Sequence, residues 1–138
     1  MKSFTVYKTA TGQIIKTGYV TEGDISLQAG EGETAIPVPS RPGLDWILNG
    51  QVIPLSEKPA GEYIFDYEVK EWVPNITIAT EKAIEKRNKL LTDSDWTQIP
   101  NGPLSPEAVQ QWAVYRQELR DVPEQSGFPM RIIWPVSP

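Results

Sequence analysis

The side chains of this 138-residue chain with the chemistry to act on a substrate are its carboxylates and hydroxyls, because it contains no histidine and no cysteine. Without histidine it lacks the usual base near neutral pH and the commonest metal ligand. Without cysteine it has no thiolate nucleophile, no disulfide and no thiolate metal site. Two carboxylate pairs stand close enough in sequence to form a dyad or a cation site: Asp93 with Asp95, and Asp66 with Glu68. The first pair sits where a helix should end, and there short acidic side chains accept hydrogen bonds from the backbone. The second alternates with aromatic residues, as the wet face of a strand does. Neither has the glycine turn and further oxygen donors of a calcium loop. Ser40, Ser56, Ser94 and Ser105 have no histidine to activate them, and none lies in G-x-S-x-G. Gly30 and Gly32 lack the spacing of a phosphate-cradling loop and read as a surface turn. These residues predict no enzyme, with no catalytic residue, no cofactor and no metal.

Charge narrows the partners. The net charge is −5. Residues 1–74 carry six Lys/Arg against ten Asp/Glu, and residues 75–138 seven against eight, which together give the 13 and 18 of the whole chain. Neither part has the positive excess that phosphate-backbone binding draws on, so nucleic acid is not an expected partner. No apolar run approaches the ~20 residues of a membrane span. Met1 to Tyr7 reads as a strand without a signal-peptide core, so synthesis in a cytoplasm without secretion is expected.

The elements that must position any binding surface fall into two kinds, and the expected fold class is α+β. In the first part, Phe4 and Val6 alternate with polar residues, and Thr11-Gly12 turns the chain back into residues 13–19, a hairpin. After a looser stretch from Asp24 to Gly32, a short apolar run follows at Thr34-Ala35-Ile36-Pro37. Asn49-Gly50 joins Trp46-Ile47-Leu48 to Gln51-Val52-Ile53 in a second hairpin. Pro37, Pro39, Pro42 and Pro54 belong at strand ends or edges. Residues 63–70 read as a third strand region with Tyr63, Phe65, Tyr67 and Val69 on one side, and Trp72 lies past its end. Residues 1–74 are therefore expected to be an antiparallel β-rich attachment domain built of hairpins, and Val73-Pro74-Asn75 is the hinge candidate.

Residues 75–138 read as a helical hairpin with an extended tail rich in aromatics and proline. Asn75 is the expected N-cap of a first helix whose apolar stripe runs through Ile76, Thr80, Ala83, Ile84, Leu90 and Leu91. Thr92 to Gly102 breaks it. Ser105 caps a second helix, Pro106 occupies its first position and Glu107 its first turn. Ala108, Trp112, Tyr115 and Leu119 form the stripe of that helix, and Val122-Pro123 ends it near Asp121. Trp96, Trp112, Leu119 and Phe128 are the expected structural anchors, since large rings supply buried area to a small helical pair. Tyr115, Arg116, Arg120 and Trp134 are the protein-interface candidates. The bland alternative for Arg116 and Arg120 is a pair that complements the helix dipole and meets Glu118, Asp121 or Glu124.

One pattern runs through this part. It reads Arg87-Asn88-x-Leu90-Leu91-x-x-Ser94-Asp95-Trp96-Thr97-Gln98, then Trp112-x-x-Tyr115-Arg116-Gln117-x-Leu119-Arg120-Asp121. It continues as Pro123-x-Gln125-x-Gly127-Phe128-Pro129 and Trp134-Pro135. Over about residues 80–138 this resembles the bacteriophage tail assembly chaperone domain, a family similar to tail-fibre assembly factors. The resemblance implies Trp96, Trp112, Tyr115, Arg116, Arg120 and Trp134 as signature positions, phage tail or tail-fibre proteins as partners, and no catalysis. It leaves two fates open. The first expectation is a protein-binding component retained in the virion tail, as a homo-oligomer or in several copies. The second is a transient chaperone in the host cytoplasm that is absent from the mature particle.

Overall fold

The computed structural model describes all 138 residues, which fall into two compact units. One comprises Met1–Pro59 with Phe65–Val73, the other Ala60–Ile64 with Pro74–Pro138.

The first unit is strand-rich and antiparallel. β1 (Lys2–Lys8) lies at the centre of a three-stranded sheet, between β2 (Ile14–Val20) and β3 (Glu33–Ile36). Phe4 and Val6 point from one face of β1 into a core with Ile25, against which Val20, Ala29 and Ala35 pack. Ile25 lies between two short 3-10 turns, Glu22–Asp24 and Ser26–Gln28, within the stretch read from sequence only as loose. Thr5, on the opposite face, is equally buried and needs partners there. Its hydroxyl donates to the Val38 carbonyl at 2.7 Å and lies 2.7 Å from the Ser40 hydroxyl. The turn after β1 requires glycine. Gly12 has φ +77°, and a Cβ there would stand 2.1 Å from the Ile47 carbonyl oxygen. The Gly12 carbonyl in turn accepts from the Ile47 N–H at 2.9 Å, which ties this turn to the next hairpin.

That hairpin pairs β4 (Asp45–Leu48) with β5 (Gln51–Pro54). Asn49 and Gly50 both take positive φ, 52° and 76°, as the expected two-residue turn demands. Asp45 is buried at its base and accepts from the Arg41 backbone N–H (2.8 Å), Nε (3.1 Å) and terminal guanidinium nitrogen (2.7 Å). The guanidinium holds the Asp45 carboxyl below the usual carboxylate range, against the opposing effect of burial.

Residues 63–70 correct the sequence reading. They form no single strand: β6 (Tyr63–Asp66) turns into β7 (Glu71–Pro74) to make a third hairpin. The Asp66 carboxylate accepts from the Glu68 and Val69 N–H groups at 2.9 and 3.3 Å, and its carbonyl accepts from Lys70 N–H. An aspartate that caps its own turn overrides the alternating pattern. Trp72 therefore lies on β7, and its ring meets Phe65 edge-on at 5.2 Å. Lys70, at φ 59°, donates to the Thr11 and Tyr67 carbonyls and stands 4.5 Å from the centre of the Trp46 ring. The division between the units falls inside this hairpin, after Ile64 and after Val73.

The second unit holds two helices, α1 (Ile76–Asp93) and α2 (Pro106–Arg120). Both expected caps form: Asn75 accepts from Ile78 N–H, and Ser105 from Ala108 N–H. On α1 the buried residues are Ala79 and Ala83, whereas Ile76 is exposed, so the helix buries a narrower stripe than its aliphatic residues suggest. On α2, Tyr115 and Leu119 are buried and Trp112 is half-buried. Two 3-10 turns, Asp95–Gln98 and Val122–Glu124, follow the helices, and from Arg131 the chain is an irregular tail.

Candidate functional site

The site is built on the second unit from the connection between the helices. Ser94 ends α1, and its hydroxyl donates to the Leu90 and Leu91 carbonyls at 2.8 and 3.1 Å. Arg116, one of the interface candidates, reaches back from α2 to the same place. It donates to the Leu91 carbonyl (2.6 Å), the Ser94 hydroxyl (2.7 Å) and the Asp95 carboxylate (2.7 Å). The last carbonyls of a helix have no partners within it, so one planar guanidinium caps α1 and ties it to α2. Arg116 is buried and meets none of Glu118, Asp121 or Glu124, the partners of the bland alternative. Thr97, also buried, donates to the Ser94 carbonyl at 2.6 Å, and Gln98 donates to the Val109 carbonyl of α2 at 3.1 Å. The Ser94–Gln98 run is thus a polar knot between two helices. Asp93 pairs with Lys89 at 2.7 Å, one turn earlier, while Asp95 pairs with Arg116. The two carboxylates of the suspected dyad therefore serve different partners.

The aromatic anchors form a row of graded burial. The Trp112 ring lies 6.2 Å from Trp96 and meets Tyr115 edge-on at 5.5 Å. Trp96 is 47% exposed, Trp112 half-buried and Tyr115 buried. Leu119 is fully buried, and Phe128 half-buried.

The tail folds back and is held at two places. The Gln125 amide donates to the Ile133 carbonyl and accepts from the Ile133 N–H, both at 2.8 Å, as a neighbouring strand would. The half-buried Trp134 ring takes the Lys86 ammonium of α1 at 4.4 Å from its centre. Gly127 permits the bend before the tail, since a Cβ there would stand 2.5 Å from the Arg131 carbonyl oxygen.

Between α2 and this tail lies an open groove. Its larger part, about 770 Å³, is lined by Glu118 of α2 and its C-cap Asp121, by Gln125 to Gly127, and by Arg131, Ile133 and Pro135. A second part of about 420 Å³ shares Glu118 and adds Gln111, Val114, Tyr115, Val136 and Pro138. Gln111, Val114, Glu118 and Asp121 follow helical spacing and so present one side of α2 and its C-cap. Val114, Ile133 and Val136 are exposed apolar residues on its rim. Of the four interface candidates, Tyr115 lines the groove from a buried position and Arg116 is held inside the unit. Arg120 is exposed and hydrogen-bonds only to Gln117, at 3.5 Å. Trp134 lines a separate pocket of about 230 Å³ against Ala79, Lys82, Ala83 and Lys86. Sequence reasoning gave no role to Gln125, Ile133 or Val114, which line the groove; Gln125 stands in the pattern from Arg87 to Pro135, and the other two carry no local signal.

Mixed apolar and charged lining on a rigid helix suits the capture of a polypeptide segment. No group of three or more acidic residues stands where it would hold a metal ion, and no helix is long and apolar enough to cross a membrane. No curated protein and no solved structure matches the chain. Residues 80–138, the segment that holds the helical clamp, the groove and the tail, match the family model described as phage tail assembly chaperone protein.

Proposed function

We propose that this chain binds a tail or tail-fibre protein of a tailed bacteriophage through the groove between α2 and the C-terminal tail. In doing so it serves the assembly of that structure and catalyses nothing. The observation that carries the reading is the match of residues 80–138, because the groove is built wholly from residues inside it. The Arg116 clamp holds the α2 wall in place, and the Gln125 amide holds the opposite one. Val114, Ile133 and Val136 supply apolar contact, whereas Arg120, exposed on α2, and Trp134, in its own pocket against α1, stand outside the groove lining. Tyr115 shapes the floor. The strand-rich first unit serves as the attachment module.

Release after assembly is the favoured fate, since the matched family is described by an assembly role. The chain then acts in the host cytoplasm. Retention in the virion tail is the second reading, and the strand-rich first unit favours it, because it lies outside the matched residues and leaves a further surface for a tail neighbour. Two measurements test these statements. Val114→Glu and Ile133→Glu, both at exposed positions, should leave the fold intact and abolish complementation of tail assembly. Full complementation by both variants would remove the groove from the mechanism. Mass spectrometry of washed particles separates the fates: absence from particles with presence in the lysate supports release. A fixed ratio to other tail proteins supports retention.

A further inference from the structure

We propose that the outer edge of β2, from Lys16 to Val20, pairs with the same edge of a second copy and joins two three-stranded sheets into one. This concerns the first unit and does not depend on what the groove binds. Unpaired strand edges invite other strands, and proteins blunt them with proline, short length or cover. Here most edges are blunted. β3, β5 and β7 are four residues long, and each runs into or ends on a proline: Pro37, Pro54 and Pro74. The start of β2 is occupied as well, because Gln13 bridges to Trp46 and the ladder with β1 slips between Val6 and Tyr7. Beyond that irregularity the register is unbroken from Lys16 (opposite Val6) to Val20 (opposite Lys2), with no strand on the outer side.

These five residues complement themselves. Antiparallel pairing about Gly18 sets Thr17 opposite the partner's Tyr19, and by symmetry Tyr19 opposite the partner's Thr17. Aromatic and β-branched residues are favourable cross-strand neighbours. Both side chains are exposed and share one face, and Tyr19 is 70% exposed. The same register places Lys16 opposite Val20, so no like charges meet. Gly18 at the centre obstructs nothing, because the Phe4 ring already fills its place on the sheet: a Cβ there would stand 2.9 Å from that ring. The arrangement is closed by a two-fold axis, so it ends at a dimer.

Sedimentation equilibrium on the full chain over a concentration series is the test. The expected mass rises reversibly from 15.5 kDa towards twice that value. Thr17→Glu, at an exposed position, should weaken association at least about tenfold. Adding Tyr19→Lys should restore it, because each introduced carboxylate then faces an introduced amine. A chain that stays monomeric throughout overturns the proposal. So does association that Thr17→Glu leaves untouched, or that the double variant fails to restore while circular dichroism shows both variants folded. An edge protected from hydrogen exchange only after a tail protein is added also overturns it, by assigning the edge to a different chain.

Discussion

Replacing Arg116 with alanine removes the clamp that fixes α1 to α2, and its three bonds contribute unequally. The Asp95 side chain is 64% exposed, so that ion pair contributes less than about 1 kcal/mol. The Leu91 carbonyl keeps the Ser94 N–H and hydroxyl as donors, so it weakens without being orphaned. The Ser94 hydroxyl loses a charged partner in a buried place. Bonds from a charged donor contribute roughly 1.5–3 kcal/mol each and are not additive within one network. The expected cost of Arg116→Ala is therefore about 3 kcal/mol, against about 0.5 kcal/mol for Asp95→Asn. Arg116→Lys should fall between them, since an ammonium keeps the charge but not the planar fork. Hydrogen exchange of α1 and α2 amides is the appropriate assay, because Trp46 and Trp72 lie in the other unit and would mix its signal into fluorescence. A cost for Arg116→Ala below about 1 kcal/mol, or equal to that of Asp95→Asn, would refute the clamp.

Leu119→Ala, at a fully buried position, should cost about 3–4 kcal/mol by the same assay, and Trp112→Ala, half-buried, about 2 kcal/mol. Reversal of that order would make Trp112 the keystone of the unit. Gly12→Ala should destabilise the first unit by well over 2 kcal/mol because it adds a collision with the Ile47 carbonyl to an unfavourable φ. Gly32→Ala, with a similar φ of +74° and open space around it, should cost about 1 kcal/mol. Equal urea midpoints for the two would contradict the close approach. The pKa of Asp45 is lowered in the folded chain, first by its hydrogen bond to Arg41. Its contribution is therefore present above the unfolded value of about 4 and lost as the pH falls through the lower folded value. Asp45→Asn should flatten the acid limb of stability measured from about pH 6 to about pH 2. An unchanged limb would place its source elsewhere.

Local signals carried much of the architecture. Asn49-Gly50 announced its hairpin because both positions need positive φ, and Ser105-Pro106 announced a helix start because its cap and first turn are set by neighbours in sequence. Residues 63–70 misled because alternation is silent about an aspartate that turns the chain on itself. The two arginines looked like a matched pair on α2, yet Arg116 finds its partners 21 to 25 residues upstream, and Arg120 stays on the surface. Thr5 is a buried polar residue whose partners, Val38 and Ser40, are likewise visible only after the chain folds. The groove was least legible of all, since one wall is an irregular tail held by the Gln125 amide and by Trp134 against Lys86.

If the groove of the second unit grips a tail protein during assembly, the two must touch inside cells that are building tails. A photo-crosslinking residue placed at Val114 or Ile133, with one at Glu81 on α1 as control, detects that contact. Crosslinks from Val114 and Ile133 to one tail or tail-fibre polypeptide, identified by mass spectrometry, are expected, with none to it from Glu81. Crosslinks from Glu81 alone, or groove positions that capture no tail protein, would contradict the grip.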